Sequence, residues 1–277
     1  MPELPEVETI VRDIAPHLTG HTLHEPRLYQ TNVLRGVSKA ALLRALDGTG
    51  VVDVSRRAKH VVIELDSGLR LVIQPRMTGS LLILGRRLAR DERRYAVLHV
   101  TIDDRRALVY RDVRRLGTVH LLDESAWIAY TGRIGPEPLE ATFGVARFRR
   151  CLAGTRQAIK KVIMDQRRLA GVGNIYANEA LFRARVHPAL PAHRLDAAET
   201  RRLHRVIRSV LRDAIRSRGS TVRDYRTGTG GRGAYQTAHQ VYGRGGEPCV
   251  RCGTTLTGTH AIDGRATTYC DICQATR

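Results

Sequence analysis

Apolar residues near the start of the chain recur every three or four positions, the spacing of one helix face. Pro2 and Pro5 lie in or before the first turn, where a helix tolerates proline, and Thr19-Gly20 ends the pattern. The spacing predicts an amphipathic first helix. A second, short helix is predicted over 39–46, between Ser38 as its cap and Gly48. The apolar positions of the first helix are Leu4, Val7, Ile10, Val11, Ile14 and Leu18.

From Val51 to about Leu122 the period shortens to that of β-strands. Residues rich in β-branched side chains are separated by the turns 66–68 and 103–104. Many short strands after a helix predict a sandwich or a barrel. The strand-like runs are 60–65, 69–73, 95–102 and 107–110.

Gly132 to Pro138 has the composition of a hinge, and the pattern beyond it is helical. Helices are predicted over 148–152, 157–165, 175–183 and 196–216. The last has one apolar stripe and many arginines elsewhere, which are typical of a solvated basic face and could also contact DNA. Residues 220–246 are rich in Gly and Thr and predict a long mobile loop.

These patterns predict an α+β protein with an N-terminal β-sandwich flanked by helices and a C-terminal helical part. We expect an N-terminal domain over 1–131, a linker over 132–140, a helical domain over 141–243 and a final module over 244–277.

The charge is strongly unbalanced: the chain has 46 Lys and Arg but 27 Asp and Glu, so its net charge is +19. Such a charge indicates a polyanionic partner, most commonly nucleic acid, although a ribosomal or merely soluble basic protein has the same balance. No apolar run approaches the ~20 residues of a membrane span. The acidic N-terminus does not resemble a secretory signal, so we expect a cytoplasmic protein.

Four of the five cysteines form two C-x-x-C pairs, Cys249/Cys252 and Cys270/Cys273, separated by 17 residues. This spacing supplies four thiolates for one tetrahedral Zn²⁺. Because no ligand position stays open, the ion is predicted to be structural, in a β-hairpin finger. An unmetallated thiol cluster is the alternative.

Two further features carry chemistry only in combination. Gly171-Val-Gly-Asn174 is a glycine-rich turn at a helix start, which suits a phosphate but also an ordinary helix–loop–helix. Removal of Met1 would leave a secondary amine at Pro2, and α-amines titrate near about 8. Such an amine can attack a sugar C1′ and form an iminium, with Glu3 beside it for proton transfer. Pro2-Glu3 alone is simply a helix start.

Several motifs occur together and in order: 1–8, 56–59, 77–80, 112–117, 171–177, 241–244 and the cysteine finger. Over the whole chain they resemble the formamidopyrimidine-DNA glycosylase (Fpg) branch of the Fpg/Nei family. Leu4 is similar to this branch, whereas the endonuclease VIII (Nei) branch usually has glycine there.

The resemblance implies a monomeric two-domain clamp on double-stranded DNA, with a helix–two-turn–helix motif and a zinc finger. It implies a bifunctional glycosylase and abasic-site lyase of base excision repair, which flips 8-oxoguanine or formamidopyrimidines out of the duplex and cuts by β,δ-elimination. Pro2 would be the nucleophile, Glu3 the acid–base group and Lys59 a contact to lesion and phosphate. Lys160, Asn174 and Arg265 match phosphate-binding positions.

The resemblance also assigns a void-filling set and a capping loop over 220–242. Met77 and Arg114 would fill the space left by the flipped base, although Met77 could also be a core gap-filler. The family's aromatic wedge is Leu116 here, and Gln74 stands where the family commonly has histidine. In the loop, backbone amides around the lesion-capping residues would recognise the flipped purine. The alternative is an ordinary disordered surface loop. The capping residues are Thr221, Val222, Arg223 and Tyr225.

Two other functions fit the same motifs. A Nei-like enzyme would excise oxidised pyrimidines, but Leu4 and the long capping loop argue against it. A catalytically silent damaged-DNA-binding protein would keep the clamp and finger, but it would not need Pro2, Glu3 and Lys59 together.

Overall fold

A computed structural model of the protein describes residues 2–85, 87–103 and 105–275. Two compact units divide the chain. Unit 1 comprises Met1–Gly132 and Ser217–Gln236, and unit 2 comprises Arg133–Arg216 and Thr237–Arg277. Met1, whose removal the sequence suggested, and Asp104 of a predicted turn lie outside the described residues.

Unit 1 is built on two four-stranded antiparallel sheets, with strand orders β1-β6-β7-β5 and β2-β3-β4-β8. The helices of this unit are α1 (Leu4–Leu18), α2 (Lys39–Leu46), α3 (Arg90–Tyr95) and α4 (Glu124–Thr131). The strands are β1 (His24–Leu28), β2 (Val51–Arg57), β3 (His60–Leu65), β4 (Arg70–Gln74), β5 (Gly79–Gly85), β6 (Ala96–Thr101), β7 (Arg106–Asp112) and β8 (Thr118–Leu122).

Helix α1 lies on the core of unit 1 and contacts β2, β3 and β5, strands from both sheets. Its apolar face is buried together with side chains from the sheets, as its spacing predicted. Burying such large aliphatic side chains contributes about 1.5–3 kcal/mol each before the loss of entropy is counted. This burial fixes the position of the chain's first residues. The buried α1 residues of this core are Val7, Ile10, Val11, Ile14 and Leu18.

The described residues of unit 2 contain four α-helices, a short 3-10 helix (Ala192–Arg194) and a hairpin: α5 (Val145–Leu152), α6 (Ile159–Met164), α7 (Asn174–Ala184), α8 (Ala197–Arg216), β9 (Thr257–Thr259) and β10 (Thr267–Tyr269). The turn between α6 and α7 is organised by one side-chain amide. Gln166 donates through Nε2 to the carbonyls of Met164 and Val172 and accepts from the amide of Gly171. A compact turn therefore delivers Asn174 to the first position of α7.

The predicted α+β class, with a sandwich, a helical part and a cysteine-bearing hairpin, is confirmed. Residues 217–236 differ from the predicted mobile loop, since several of them are buried in unit 1. No helix in the described ranges is both long and apolar enough to cross a membrane.

Candidate functional site

The first residues of the chain are held by a buried carboxylate that the sequence analysis did not single out. Pro2 and Glu3 are buried, and Glu6 is 1 % exposed. The Glu3 amide donates to Glu6 Oε2 at 2.8 Å, and the Ser220 amide donates to Glu6 Oε1 at 2.7 Å. Glu6 thus connects the N-terminal residues with the segment 217–236.

Lys59 lies in the tight turn between β2 and β3, where Ala58 has a positive φ of 53°. Arg56 connects this turn to α1: its Nε donates to Glu8 Oε2 at 3.0 Å and its Nη1 to the carbonyl of Ala58 at 2.9 Å. Burial pushes the pKa of Glu8 upward, but hydrogen bonds and charges from Arg12 and Arg56 outweigh it, so the pKa is lowered. Glu8 therefore stays charged and holds the turn of Lys59 against α1.

A second chain of hydrogen bonds reaches the same turn from α4. His60 Nδ1 lies 3.0 Å from the carbonyl of Arg57, and Tyr130 Oη lies 3.0 Å from His60 Nε2. A ring nitrogen facing a carbonyl must donate, so Nε2 of a neutral His60 accepts from the tyrosine. Both ends of the turn are therefore fixed by side chains.

Met77, Arg114 and Leu116 are exposed on two neighbouring loops of unit 1. Met77 is 44 % and Leu116 is 40 % exposed, which is unusual for large apolar side chains. Arg114 Nη1 lies 3.4 Å from Met77 Sδ. Met77 is thus not the core gap-filler considered above. At the end of β4, Gln74 Oε1 accepts a hydrogen bond from Arg76.

One buried carboxylate, Asp112, joins these two loops. It accepts hydrogen bonds from the Thr78 hydroxyl, the Tyr110 hydroxyl and the amide of Gly117, and it is fully buried. Burial and the neighbouring Asp112 charge raise the pKa of Tyr110, so its phenol stays protonated and donates. A Cβ on Gly117 would clash with Tyr110 Oη at 1.9 Å, so only glycine fits.

The proposed capping residues divide into two pairs. Val222 and Arg223 are exposed, whereas Thr221 and Tyr225 are buried. Tyr225 packs in the core of unit 1, and its hydroxyl donates to the carbonyl of Glu6 at 3.2 Å. The Thr221 amide already donates to Gln236 Oε1 at 2.9 Å, so in this structure it is not available to a base.

Two glycines of this segment serve close packing, not mobility. A Cβ on Gly228 would lie 2.6 Å from Asp13 Cβ, and one on Gly233 would lie 2.2 Å from the carbonyl oxygen of Gly219. The carbonyl of Gly228 also accepts from the amide of Ile83 at 2.8 Å. These contacts anchor the segment to α1 and β5.

In unit 2, the predicted phosphate-binding residues converge on the finger segment 263–267. Asn174 Nδ2 donates to the carbonyl of Ala266 at 2.9 Å, and Arg265 is exposed beside it. Near Arg265 is a depression of about 420 Å³. It is lined by the basic side chains of Lys161, Arg167 and Arg265 and by the carboxylates of Asp165 and Asp263, and Arg167 pairs with Asp165 at 3.6 Å.

Lys160 differs from its predicted role as a phosphate contact. Its side chain is fully buried, and Nζ donates to Asp263 Oδ1 at 3.2 Å, to the Ala266 carbonyl at 3.3 Å and to Thr267 Oγ1 at 2.7 Å. A buried ammonium requires such acceptors. In this structure Lys160 holds the finger segment, and its ammonium does not face solvent.

The four cysteines of the two C-x-x-C pairs lie together, with all Sγ atoms within 4.8 Å of one another. Zn–S bonds of about 2.3 Å in a tetrahedron require S···S distances near 3.8 Å, so the cluster fits this ion. The amides of Arg251 and Cys273 approach Cys249 Sγ and Cys270 Sγ at 3.4 Å, which favours thiolates.

Both the finger and the residues that lead into it are fixed to α7. Buried Glu179 accepts from the amides of Gln240, Val241 and Tyr242 at 2.9–3.0 Å. Arg251 lies over the Phe182 ring and donates to its carbonyl, so its guanidinium is directed at the protein. No local pattern singles out Glu179, because its partners lie some 60 positions further along the chain.

Two family models match successive parts of the chain. Residues 1–119 match the family model described as the formamidopyrimidine-DNA glycosylase N-terminal domain, and residues 134–226 match that of the formamidopyrimidine-DNA glycosylase H2TH domain.

Similar proteins match over nearly the whole chain. The formamidopyrimidine-DNA glycosylase of Heliobacterium modesticaldum is 41 % identical over 99 % of this chain and 100 % of its own length. That of Chloroflexus aurantiacus is 39 % identical over 100 % of this chain and 98 % of its own. A solved complex of Lactococcus lactis Fpg with DNA containing an abasic site has a TM-score of 0.91 at 31 % identity, covering 99 % of this chain and 100 % of that one.

Proposed function

Because this chain belongs to the formamidopyrimidine-DNA glycosylase family, we propose that it excises oxidised purines from double-stranded DNA and then cuts the strand. The oxidised purines in this proposal are 8-oxoguanine and formamidopyrimidines. The enzyme acts as a monomer in base excision repair, and a DNA substrate implies action at the bacterial nucleoid.

The proposed chemistry begins at Pro2. After removal of Met1, the lone pair of the Pro2 amine attacks C1′ of the damaged nucleotide, and the C1′–N bond breaks as the base leaves with a proton. Glu3 carries protons during opening of the sugar, which yields an iminium between Pro2 and C1′. Successive β and δ eliminations then release the phosphates on both sides. The buried start of α1, held by Glu6, supports this role because a nucleophile needs a fixed position.

Attack at C1′ requires the nucleotide to leave the base stack, which costs a few kcal/mol. We propose that Met77, Arg114 and Leu116, together called the plug, fill the space that the nucleotide leaves. We assign the capping of the flipped base to the segment 220–242. The exposure of the three plug residues supports this assignment, since exposed apolar side chains that insert between bases stabilise kinked DNA. Leu116 wedges but does not stack as an aromatic ring would.

Phosphate contacts would offset the cost of flipping and fix the register of the DNA. We assign them to Lys59, Gln74, Asn174 and Arg265, with Lys160 acting indirectly by holding the segment of Arg265. The carbonyl of Ala266, shared by Asn174 and Lys160, supports this arrangement. The four cysteines of the finger would hold one structural Zn²⁺.

The observation that carries the proposal is the joint presence of the Pro2-Glu3 start, the exposed plug and the family match over the whole chain. The test is borohydride trapping on a duplex with 8-oxoguanine opposite cytosine. We expect a covalent adduct with the wild-type protein and none with Pro2→Gly, which should still bind the duplex.

Two results would contradict the proposal. An adduct that forms only with an oxidised pyrimidine would favour the Nei-like function. Bound DNA without any adduct or strand cleavage would favour a silent damaged-DNA-binding protein. As a control, Pro5→Gly changes another early proline and should still form the adduct.

A further inference from the structure

Five arginines form a continuous stripe along α8, which we call the arginine stripe: Arg201, Arg205, Arg208, Arg212 and Arg216. At 3.6 residues per turn these positions fall within about 80° of the helix circumference and extend for about 22 Å. Four of the five are exposed, and Arg208 is half-buried. No apolar or aromatic side chain larger than alanine shares this sector of the helix.

The arginine stripe lies nearly opposite the buried face of α8. That face packs against α5 and α7, and its centre is about 150° from the centre of the stripe. The stripe therefore points away from α7, whose first residue is Asn174. It is a different surface of unit 2 from the one that carries Asn174 and Arg265. The buried residues are Thr200, Leu203, Ile207, Val210, Leu211 and Ala214.

Carboxylates do not neutralise most of this charge. Helix α8 contains two acidic residues, Glu199 and Asp213. Glu199 accepts the amide of Asp196 at the start of the helix, and Asp213 pairs with Arg183 and Arg216. Among the described residues, Arg201, Arg205 and Arg212 have no carboxylate within ion-pair distance. On a solvated helix, an arginine is stabilised by an acidic side chain three or four positions away, and these three arginines lack one.

The positive charges of the arginine stripe repel one another. Arg208 donates to the carbonyls of Pro138 and Glu140, which holds its guanidinium at the edge of the stripe. Burial, together with the nearby charge of Arg212, lowers the pKa of Arg208. A row of cations that is unfavourable by itself is stabilised when a polyanion lies along it.

We propose that the arginine stripe of α8 binds the phosphate backbone of a second DNA segment while the enzyme holds its lesion duplex elsewhere. This proposal rests on the proposed function in taking DNA as the polyanion. Guanidinium groups suit phosphates, and a 22 Å stripe runs past about six phosphates of one strand. The absence of aromatic side chains disfavours single-stranded nucleic acid, which is bound by stacking, and a protein partner, whose interfaces centre on aromatic anchors.

The test uses full-length protein already bound to an unlabelled duplex containing an abasic-site analogue. A fluorescent undamaged duplex is then added, and its anisotropy is followed as salt is raised. We expect the wild-type complex to bind the second duplex with a log–log salt slope of roughly −3, one phosphate for each unpaired arginine. The triple variant Arg201→Gln, Arg205→Gln, Arg212→Gln should lose this binding.

Two matched variants control for charge and for folding. The triple variant with lysine at the same three positions keeps the charge and should keep second-duplex binding. Arg27→Gln, Lys39→Gln, Arg44→Gln removes the same charge from exposed positions of unit 1 and should also keep it.

The proposal is overturned if the wild-type complex binds no second duplex, or if the glutamine variant of the stripe binds it as well as the wild type. Tighter stripe-dependent binding of poly-glutamate than of duplex would overturn the DNA assignment in favour of an acidic protein. Incision of an 8-oxoguanine duplex is measured separately. Absent incision contradicts the proposed function alone, because second-duplex binding can still be read.

Discussion

At the scale of single residues, buried carboxylates organise the exposed parts of unit 1. Glu6 receives backbone amides from both Glu3 and Ser220, and Asp112 receives donors from both loops that carry the plug. A buried carboxylate is stable only with such donors, and its donors are thereby fixed in turn. The residues we assign to catalysis and plugging thus depend on carboxylates that would not themselves contact DNA.

Asp112→Asn tests this dependence. The asparagine side chain keeps the shape of the aspartate but loses its charge. It offers one acceptor oxygen, instead of two, to the several donors that surround it. We expect a loss of about 1–3 kcal/mol in the free energy of unfolding, and slower incision of lesion duplex. Urea unfolding and single-turnover nicking measure the two effects. Asp53→Asn, at an exposed strand position, is the control and should leave both unchanged.

The lowered pKa of Glu8 predicts a dependence of stability on acid. Because its pKa in the folded protein lies below the ordinary glutamate pKa of 4.5, its contribution is fully present above about pH 4.5 and is lost as the pH falls through the lowered folded pKa. Wild type should therefore be more stable than Glu8→Gln at pH 7, and the difference should shrink towards pH 3. Urea unfolding at both pH values measures it. A difference that stays constant would contradict the assignment.

At the scale of elements, α7 is the support of the finger. Its Glu179 holds residues 240–242, its Asn178 accepts the amide of Thr268, and its Phe182 packs in the cluster that contains Cys249 and Cys270. The finger adds only the two short strands β9 and β10. Natural modules this small commonly depend on a structural metal, and the four clustered cysteines could hold one here.

Zinc removal should therefore unfold the finger and leave unit 1 intact. Structural zinc supplies roughly 10–16 kcal/mol of folding free energy in small modules. We expect a chelator to abolish hydrogen-exchange protection over 249–273 and to abolish DNA binding. Fluorescence of Trp127, the single tryptophan, reports the melting of unit 1 and should change little. Cys151→Ser should keep one zinc per chain, whereas Cys249→Ser should lose it; full DNA binding by metal-free protein would contradict the finger's role.

At the scale of the whole molecule, the net charge of +19 predicts the salt dependence of binding. If six to ten phosphates are neutralised, the log–log slope for a single lesion duplex is roughly −5 to −9. Fluorescence anisotropy between about 50 and 200 mM KCl measures this slope. A nearly flat titration would show that the basic residues do not follow the DNA backbone.

The sequence by itself predicted α1, α2, the four α-helices of unit 2, four strands of unit 1 and the thiol cluster, whereas α3 and α4 were not predicted. Apolar periodicity predicted α1 and α8, and the two C-x-x-C pairs predicted the four neighbouring thiols. Both signals act over short distances in the chain: a helix face repeats within four residues, and each C-x-x-C pair fits in one turn. The motif resemblance likewise identified the family.

Only the tertiary structure decided how the side chains of the site are used. Lys160 is buried because residues 263–267, a hundred positions away, supply its acceptors, and Tyr225 is a core residue because α1 packs over it. The close packing of Gly228 against α1 has the same origin. The identity of a residue states which bonds it can form, but which of them form is decided by neighbours that folding brings from distant parts of the chain.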